Sequence, residues 1–291
     1  MMLSEFAPAK VNLFLHVAAP GADGRHQLCS LVVFADVGDR VRAERASQMS
    51  LSVDGPFGEQ IGPVDDNLIV RALRLAKAEP MRVHLSKHLP AAAGLGGGTS
   101  DAGAALRLAR QMDPGLSLDQ VEAAARSLGA DGLMCLQARA CLAEGEGERL
   151  SAAPDMPILP AVLVNPAVPS PTGAVYRAYD AGGGAFSADR PALPNRFSSV
   201  AEMADFLAAQ RNDLQEPAVR LVPQVRDALA AVRRSPGALL SRMSGSGATV
   251  FGLFEDDEAA QAAATEIAGA HPTWWVQPCR LNAGHPGDEV D

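Results

Sequence analysis

The chain has 291 residues, of which 47% are hydrophobic and 20% charged, and carries a formal net charge of -9. This composition suits a globular protein of one large or two ordinary domains and excludes wholesale disorder. The acidic balance repels a phosphate backbone, so no nucleic-acid partner is expected, although a local cationic pocket can still take a small anion. Cys29, Cys135, Cys141 and Cys279 show no CxxC spacing and no companion His cluster, which argues against a zinc site or redox dithiol. They are expected to be reduced and buried. The opening MMLSEFAPAKVNLFLHV lacks the features of a signal peptide. No run of about 18 apolar residues occurs, so no membrane partner and a cytoplasmic location are expected.

In chain order, residues 10–17 (KVNLFLHV) read as a strand, Gly21 to Gly24 as a turn, and Leu28 to Phe34 as the second strand of a hairpin. Asp66-Asn67 caps an amphipathic helix over Leu68 to Ala78. Met81 to Leu85 reads as a short strand, and Asp101 to Met112 as a helix. Ser117 with Gln120 is a capping box opening a helix that stops at Gly129. AVLVN (residues 161–165) has the pattern of a buried strand. Val168 to Pro194, rich in Pro, Gly and Ala, reads as a long surface loop near a domain boundary. Helices are expected at Val200 to Gln210, Pro223 to Arg233 and Glu258 to Ala270, a strand at Ala248 to Phe254, and a frayed tail after Asn282. Strict βαβ alternation is absent, so the class is α+β, with domains at residues 1–155 and 156–291.

The segment Pro90, Ala91, Ala92, Ala93, Gly94, Leu95, Gly96, Gly97, Gly98, Thr99, Ser100 carries the clearest chemistry. Four glycines in five residues permit positive φ and close approach of a ligand to the backbone, so successive N–H groups can form an anion nest. The helix that follows presents its positive end to the same place. The hydroxyls of Thr99 and Ser100 could add hydrogen bonds or help hold a magnesium ion. No lysine follows the last glycine and no GxGxxG can be drawn, so two familiar phosphate motifs are excluded. A flexible linker is the plain alternative, but linkers do not enter an Ala-rich helix with hydroxyls at its cap.

This loop resembles the second motif of the GHMP kinases. Pro8-Ala9-Lys10-Val11-Asn12-Leu13 resembles their first motif, and Ser241 to Ala248 (SRMSGSGA) their third. Asp23-Gly24-x-His26, Asp66-Asn67-Leu68-Ile69, Leu128-Gly129-Ala130-Asp131 and Ala143-Glu144-Gly145 are similar to the branch acting on a cytidine diphosphate ester of methylerythritol, in the non-mevalonate route to isoprenoid precursors. The resemblance covers roughly residues 6 to 282. It implies a two-domain fold with the active site between domains, and ATP with Mg2+ as cofactors. It also implies phosphorylation of the methylerythritol C2 hydroxyl.

On this resemblance Asp131 is the general base, and Lys10 the cation that keeps it ionised and offsets charge on the transferring oxygens. Asn12, His26 and Tyr176 are the implied substrate contacts, with His26 on the cytosine edge and Tyr176 stacked on the base. Asn67 and Lys87 are implied contacts to adenine or phosphate. The sequence departs from the family pattern twice. Arg25 stands where an aromatic is usual; its guanidinium could stack on a base or pair with the diphosphate. Asp131 is followed by Gly132-Leu133-Met134 rather than a Val-Pro type sequence, which predicts a loosened segment and slower turnover. A homoserine- or mevalonate-type kinase and a nucleotide-binding regulator without catalysis stay open as alternatives. So do a monomer and a homodimer, and the metal ligands are unassigned.

Overall fold

The computed structural model describes residues 1–183 and 187–284. Strands β1 (Leu3–Pro20), β2 (His26–Arg45) and β3 (Ser50–Asp54) are followed by α1 (Leu68–Ala76), β4 (Met81–Ser86), α2 (Gly97–Met112), α3 (Leu118–Arg126) and α4 (Gly132–Gln137). Then come β5 (Cys141–Gly145), β6 (Arg149–Ala152), β7 (Leu159–Asn165), α5 (Thr172–Ala181), α6 (Val200–Ala208), α7 (Gln215–Leu221) and α8 (Gln224–Arg234). The described chain ends in β8 (Leu240–Met243), β9 (Val250–Leu253), α9 (Asp257–Ala270) and β10 (Trp275–Leu281). From residue 285 the tail lies outside the described residues.

The expected hairpin is present and longer than its apolar core suggested. β1 and β2 pair antiparallel from Leu3↔Ala43 to Pro20↔His26, with register shifts between Pro8 and Lys10 and between Asn12 and Phe14. β2 extends to Arg45 because Val41 and Ala43 are buried and alternate with Arg40, Arg42 and Glu44, a period-two pattern. β2 also pairs with β4 and β5, and β3 pairs parallel to β4. A second set, β10-β7-β9-β8, is antiparallel and joins the first through Leu281↔Ala35.

Helices cover one core in each half. Ile69, Leu73, Leu106 and Val121 pack with Val41, Val83 and Leu85, while Val225, Val232, Ala264 and Ile267 pack with Val162, Val164 and Val250. The side chain of Asn67 caps α1 by accepting from Ile69 N–H at 2.9 Å. Such a cap contributes about 1 kcal/mol. Each fully buried side chain of Leu size contributes about 1.5–3 kcal/mol. Packing of Ile69 and Leu73 therefore holds α1 in place, and Asn67 sets where it begins. The capping box of Ser117 and Gln120 forms as expected at α3. The stretch expected to be a long loop contains α5, which buries Val175 and Tyr179. All four cysteines are free and buried. Among the described residues no helix is long and apolar enough to cross a membrane.

Candidate active site

The glycine segment runs from β4 into α2 and faces a cavity of about 600 Å³. α2 begins at Gly97, four residues before the expected start, so Gly97, Gly98 and Thr99 form its first turn. Those N–H groups have no acceptor one turn earlier in the helix. Ala92, Gly94 and Gly96 have positive φ, so every second residue of the loop is left-handed. That alternation turns backbone N–H groups towards one concave face. Pro90 through Gly94 and Gly96 through Thr99 line the cavity. Leu95 instead points into the core, and its carbonyl accepts from Lys10 N–H at 2.8 Å. Ser100 is buried, with its hydroxyl donating to Pro8 O at 2.8 Å, so it secures α2 to β1 and Thr99 is the hydroxyl left facing the cavity.

The third glycine segment packs directly on this loop. A Cβ on Gly94 would lie 2.6 Å from Gly247 O and 2.9 Å from Ser244 O, so no larger residue fits there. Ser244 Oγ accepts from Asn12 N–H at 3.1 Å and lies 3.2 Å from Gly94 O, to which it donates. Asn212 Nδ2 donates to Met243 O and Gly245 O, both at 2.8 Å, and Ser170 Oγ to Ser246 O at 2.8 Å. Three parts of the chain thus meet with little freedom: β1, the α2 loop and the turn after β8.

Lys10 and Asn12 project from β1 into the same cavity. Lys10 Nζ donates to Asn12 Oδ1 at 2.8 Å and lies 3.3 Å from Asp131 Oδ2. The Lys10 side chain is 7% exposed and that of Asp131 38%, so a desolvated ammonium faces a carboxylate open to the cavity. Asn12 is held in turn by Ser30 Oγ, which accepts from Asn12 Nδ2 at 2.8 Å. Asp131 immediately precedes α4, and the segment after it is tightly held rather than loosened. A Cβ on Gly132 would sit 1.8 Å from Ala125 O. The glycine there is a packing requirement that lets α4 begin against the end of α3.

Another part of the cavity wall is made of side chains. Tyr176, on α5, lines it together with Pro171, Thr172 and Glu146. Burial, with Asp131 and Asp180 nearby, pushes the Tyr176 phenol up to about 12, so it presents a neutral aromatic surface. His26 does not line the cavity. Its ring packs on Tyr176 at a centroid distance of 4.9 Å, and Nε2 meets Asp180 Oδ1 at 2.7 Å. Arg25 lies at the rim, 67% exposed and 2.9 Å from Glu146 Oε2. Of two further expected contacts, Asn67 does not line the cavity and its oxygen caps α1, whereas Lys87 is among the lining residues, with its ammonium buried between Asp39 and Asp101.

Sequence reasoning passed over Ser244, Asn212, Glu146, Asp39 and Asp101 as individual residues. Ser244 and Glu146 fall inside or beside segments already singled out, SRMSGSGA and AEG. Asp39 carries no local signature, because its partners lie far away in sequence, and the contacts of Asn212 to the turn after β8 are equally distant.

Two GHMP kinase families match the chain, the N-terminal domain over residues 67–138 and the C-terminal domain over residues 189–272. A 4-diphosphocytidyl-2-C-methyl-D-erythritol kinase of Caulobacter vibrioides is 56% identical over 290 residues, covering 97% of this chain and 100% of that one. A crystal structure of 4-(cytidine 5'-diphospho)-2C-methyl-D-erythritol kinase superposes with a TM-score of 0.77 at 34% identity, covering 97% of this chain and 100% of that one. A homoserine kinase from Cytophaga hutchinsonii, 17% identical and with a TM-score of 0.67, shares the fold over 98% of this chain and 95% of its own. The paired glycine segments, the Lys10–Asp131 pair and this full-length similarity lead to one conclusion: the chain belongs to the GHMP kinases, among the 4-diphosphocytidyl-2-C-methyl-D-erythritol kinases.

Proposed function

We propose that the chain transfers the γ-phosphoryl group of ATP to the C2 hydroxyl of 4-diphosphocytidyl-2-C-methyl-D-erythritol. The observation that carries the chemistry is the Lys10–Asp131 pair at 3.3 Å, facing a cavity walled by the α2 glycine loop. Phosphoryl transfer requires positioning, charge neutralisation and an acceptor for the hydroxyl proton. The loop amides and the open N-terminus of α2 bind the polyphosphate. Asp131 takes the proton from the acceptor hydroxyl as its oxygen bonds to phosphorus. Lys10, fixed by Asn12, stabilises negative charge on the transferring oxygens.

Tyr176 offers a face for the cytosine, and His26, packed on that ring and held by Asp180, would act by keeping Tyr176 in place. Arg25 and Glu146 stand at the mouth, where the diphosphate ester would enter.

Mg2+ fits this arrangement as an ion carried by the nucleotide. Among the described residues no cluster of three His, Cys, Asp or Glu side chains could hold a metal, whereas Thr99 and Asp131 bring oxygens to the cavity. Magnesium usually keeps several waters and binds through one or two protein oxygens plus substrate phosphates. When bound it would supply charge neutralisation to the phosphates.

The test is ADP release with ATP and a panel of alcohols that includes the cytidine diphosphate ester, homoserine and mevalonate. Turnover is expected on the ester alone, with the new phosphate located on C2 by phosphorus NMR. Absence of turnover on the ester overturns the reading.

A further inference from the structure

The chain entering the phosphate loop and the helix leaving it are tied to one buried cation. Lys87 follows β4 and its side chain is 2% exposed. Its Nζ donates to Asp39 Oδ2 at 2.5 Å and to Asp101 Oδ2 at 2.7 Å. Asp39, on β2, uses its other oxygen to accept from the N–H groups of His88 at 2.5 Å and Leu89 at 2.8 Å. Asp101 lies in the second turn of α2. The Lys87 backbone is pinned as well, its N–H donating to Asp54 O and its carbonyl accepting from Phe57 N–H. Gly97 closes over the group, since a Cβ there would lie 3.1 Å from Lys87 Nζ and 3.6 Å from Asp39 Oδ2.

A buried ion cluster is a poor route to stability, because desolvation offsets much of the attraction and apolar packing does as well. Three charged side chains beneath a phosphate loop therefore call for a reason other than stability. We propose that the Asp39–Lys87–Asp101 triad is a positioning device that clamps both ends of the Pro90–Thr99 arc in the shape that receives a nucleoside triphosphate, setting donor affinity and leaving acceptor affinity alone. This rests on reading the cavity as the site of an ATP-dependent kinase.

The electrostatics agree with the geometry. Burial opposes the Lys87 charge, but the two carboxylates outweigh it and its pKa is raised. Burial pushes the Asp101 carboxyl up to about 8, and its Oδ1 has no hydrogen-bond partner. Lys87 Nζ is spent on the two carboxylates, so the triad acts through the loop.

Full-length Lys87→Met and Asp101→Asn variants test this against the wild type. The readouts are the Kd of a non-hydrolysable ATP analogue by calorimetry and the KM of ATP and of the acceptor. Lys87→Met is expected to raise the analogue Kd and the ATP KM about ten-fold or more, with acceptor KM changing less than about two-fold. Asp101→Asn keeps the shape and an oxygen for Lys87, so a shift of the same kind of about two- to five-fold is expected. A loss of folded enzyme alone would lower kcat without this split. If Lys87→Met does not fold, Asp101→Asn decides. Wild-type donor affinity in a folded Lys87→Met (or, failing that, in Asp101→Asn) overturns the proposal, as does an equal rise in both Michaelis constants. Failure of the kinase reading itself would look different, because the wild type would then neither bind the analogue nor release ADP.

Discussion

On the function proposed above, the donor side of the cavity is backbone, held from behind by buried side chains, whereas the acceptor side is side chains at a half-open rim. Gly94, Gly96 and Gly97 are confined by Gly247 O, by Lys10 and by Lys87 respectively. Around Glu146 and Tyr176, Arg25 is 67% exposed, and Asp180 and Glu146 are each 37% exposed. A polyphosphate presents the same oxygens whatever alcohol is to be phosphorylated, so a rigid amide surface suits it. A particular alcohol must be recognised by its own edges and rings, which side chains read better than backbone does.

Asp131 stands where the two sides meet, so its loss should cost the most. Asp131→Asn keeps the shape and removes the proton acceptor. We expect kcat to fall about 10²- to 10⁴-fold with both Michaelis constants within about three-fold, measured by steady-state ADP release. Full activity would remove Asp131 from the chemistry and leave the comparison without its centre. Gly132→Val addresses how firmly that residue is held. A Cβ there would lie 1.8 Å from Ala125 O, so the protein should lose about 3 kcal/mol of stability, seen as a lower Tm. An unchanged Tm would mean that α4 can slide, and the base would then be as loosely held as its glycine first suggested.

Tyr176→Ala probes the acceptor side alone. Base stacking on an aromatic contributes about 1–3 kcal/mol, so acceptor kcat/KM should fall about ten-fold while ATP KM stays put. Tyr176→Phe should recover most of the loss. A parallel rise in ATP KM would show that the two sides are not separable.

Legibility in the sequence follows the same line. The donor loop, its helix and the Lys10 strand are local patterns: glycines, a helix start, alternating apolar residues. Asn67 and Ser117 announced their helices through capping chemistry confined to three or four residues. The acceptor side depends on long-range meetings. Tyr176 lies in a Pro- and Gly-rich stretch whose helix, α5, buries only Val175 and Tyr179, too few apolar residues to show a period. Asp39 has no local signature, and only the return of β4 and α2 makes it part of a buried clamp. The segment after Asp131 misled because glycine signals freedom in isolation and closeness in a packed site.

Arg25 is the smallest and sharpest test of the contrast. Its ion pair with Glu146 is exposed, and such pairs contribute about 0–1 kcal/mol. Arg25→Ala should therefore leave Tm within about 2 °C. If the acceptor side is read mainly by Tyr176 and the ring behind it, acceptor kcat/KM should fall only about two- to three-fold, and ATP KM should not move. A fall beyond about ten-fold would mean that the guanidinium leaves Glu146 and closes over the bound ester, since an exposed pair cannot supply that much. The rim would then be an ordered wall completed by the substrate, and the contrast between a fixed donor side and an open acceptor side would hold only for the empty protein.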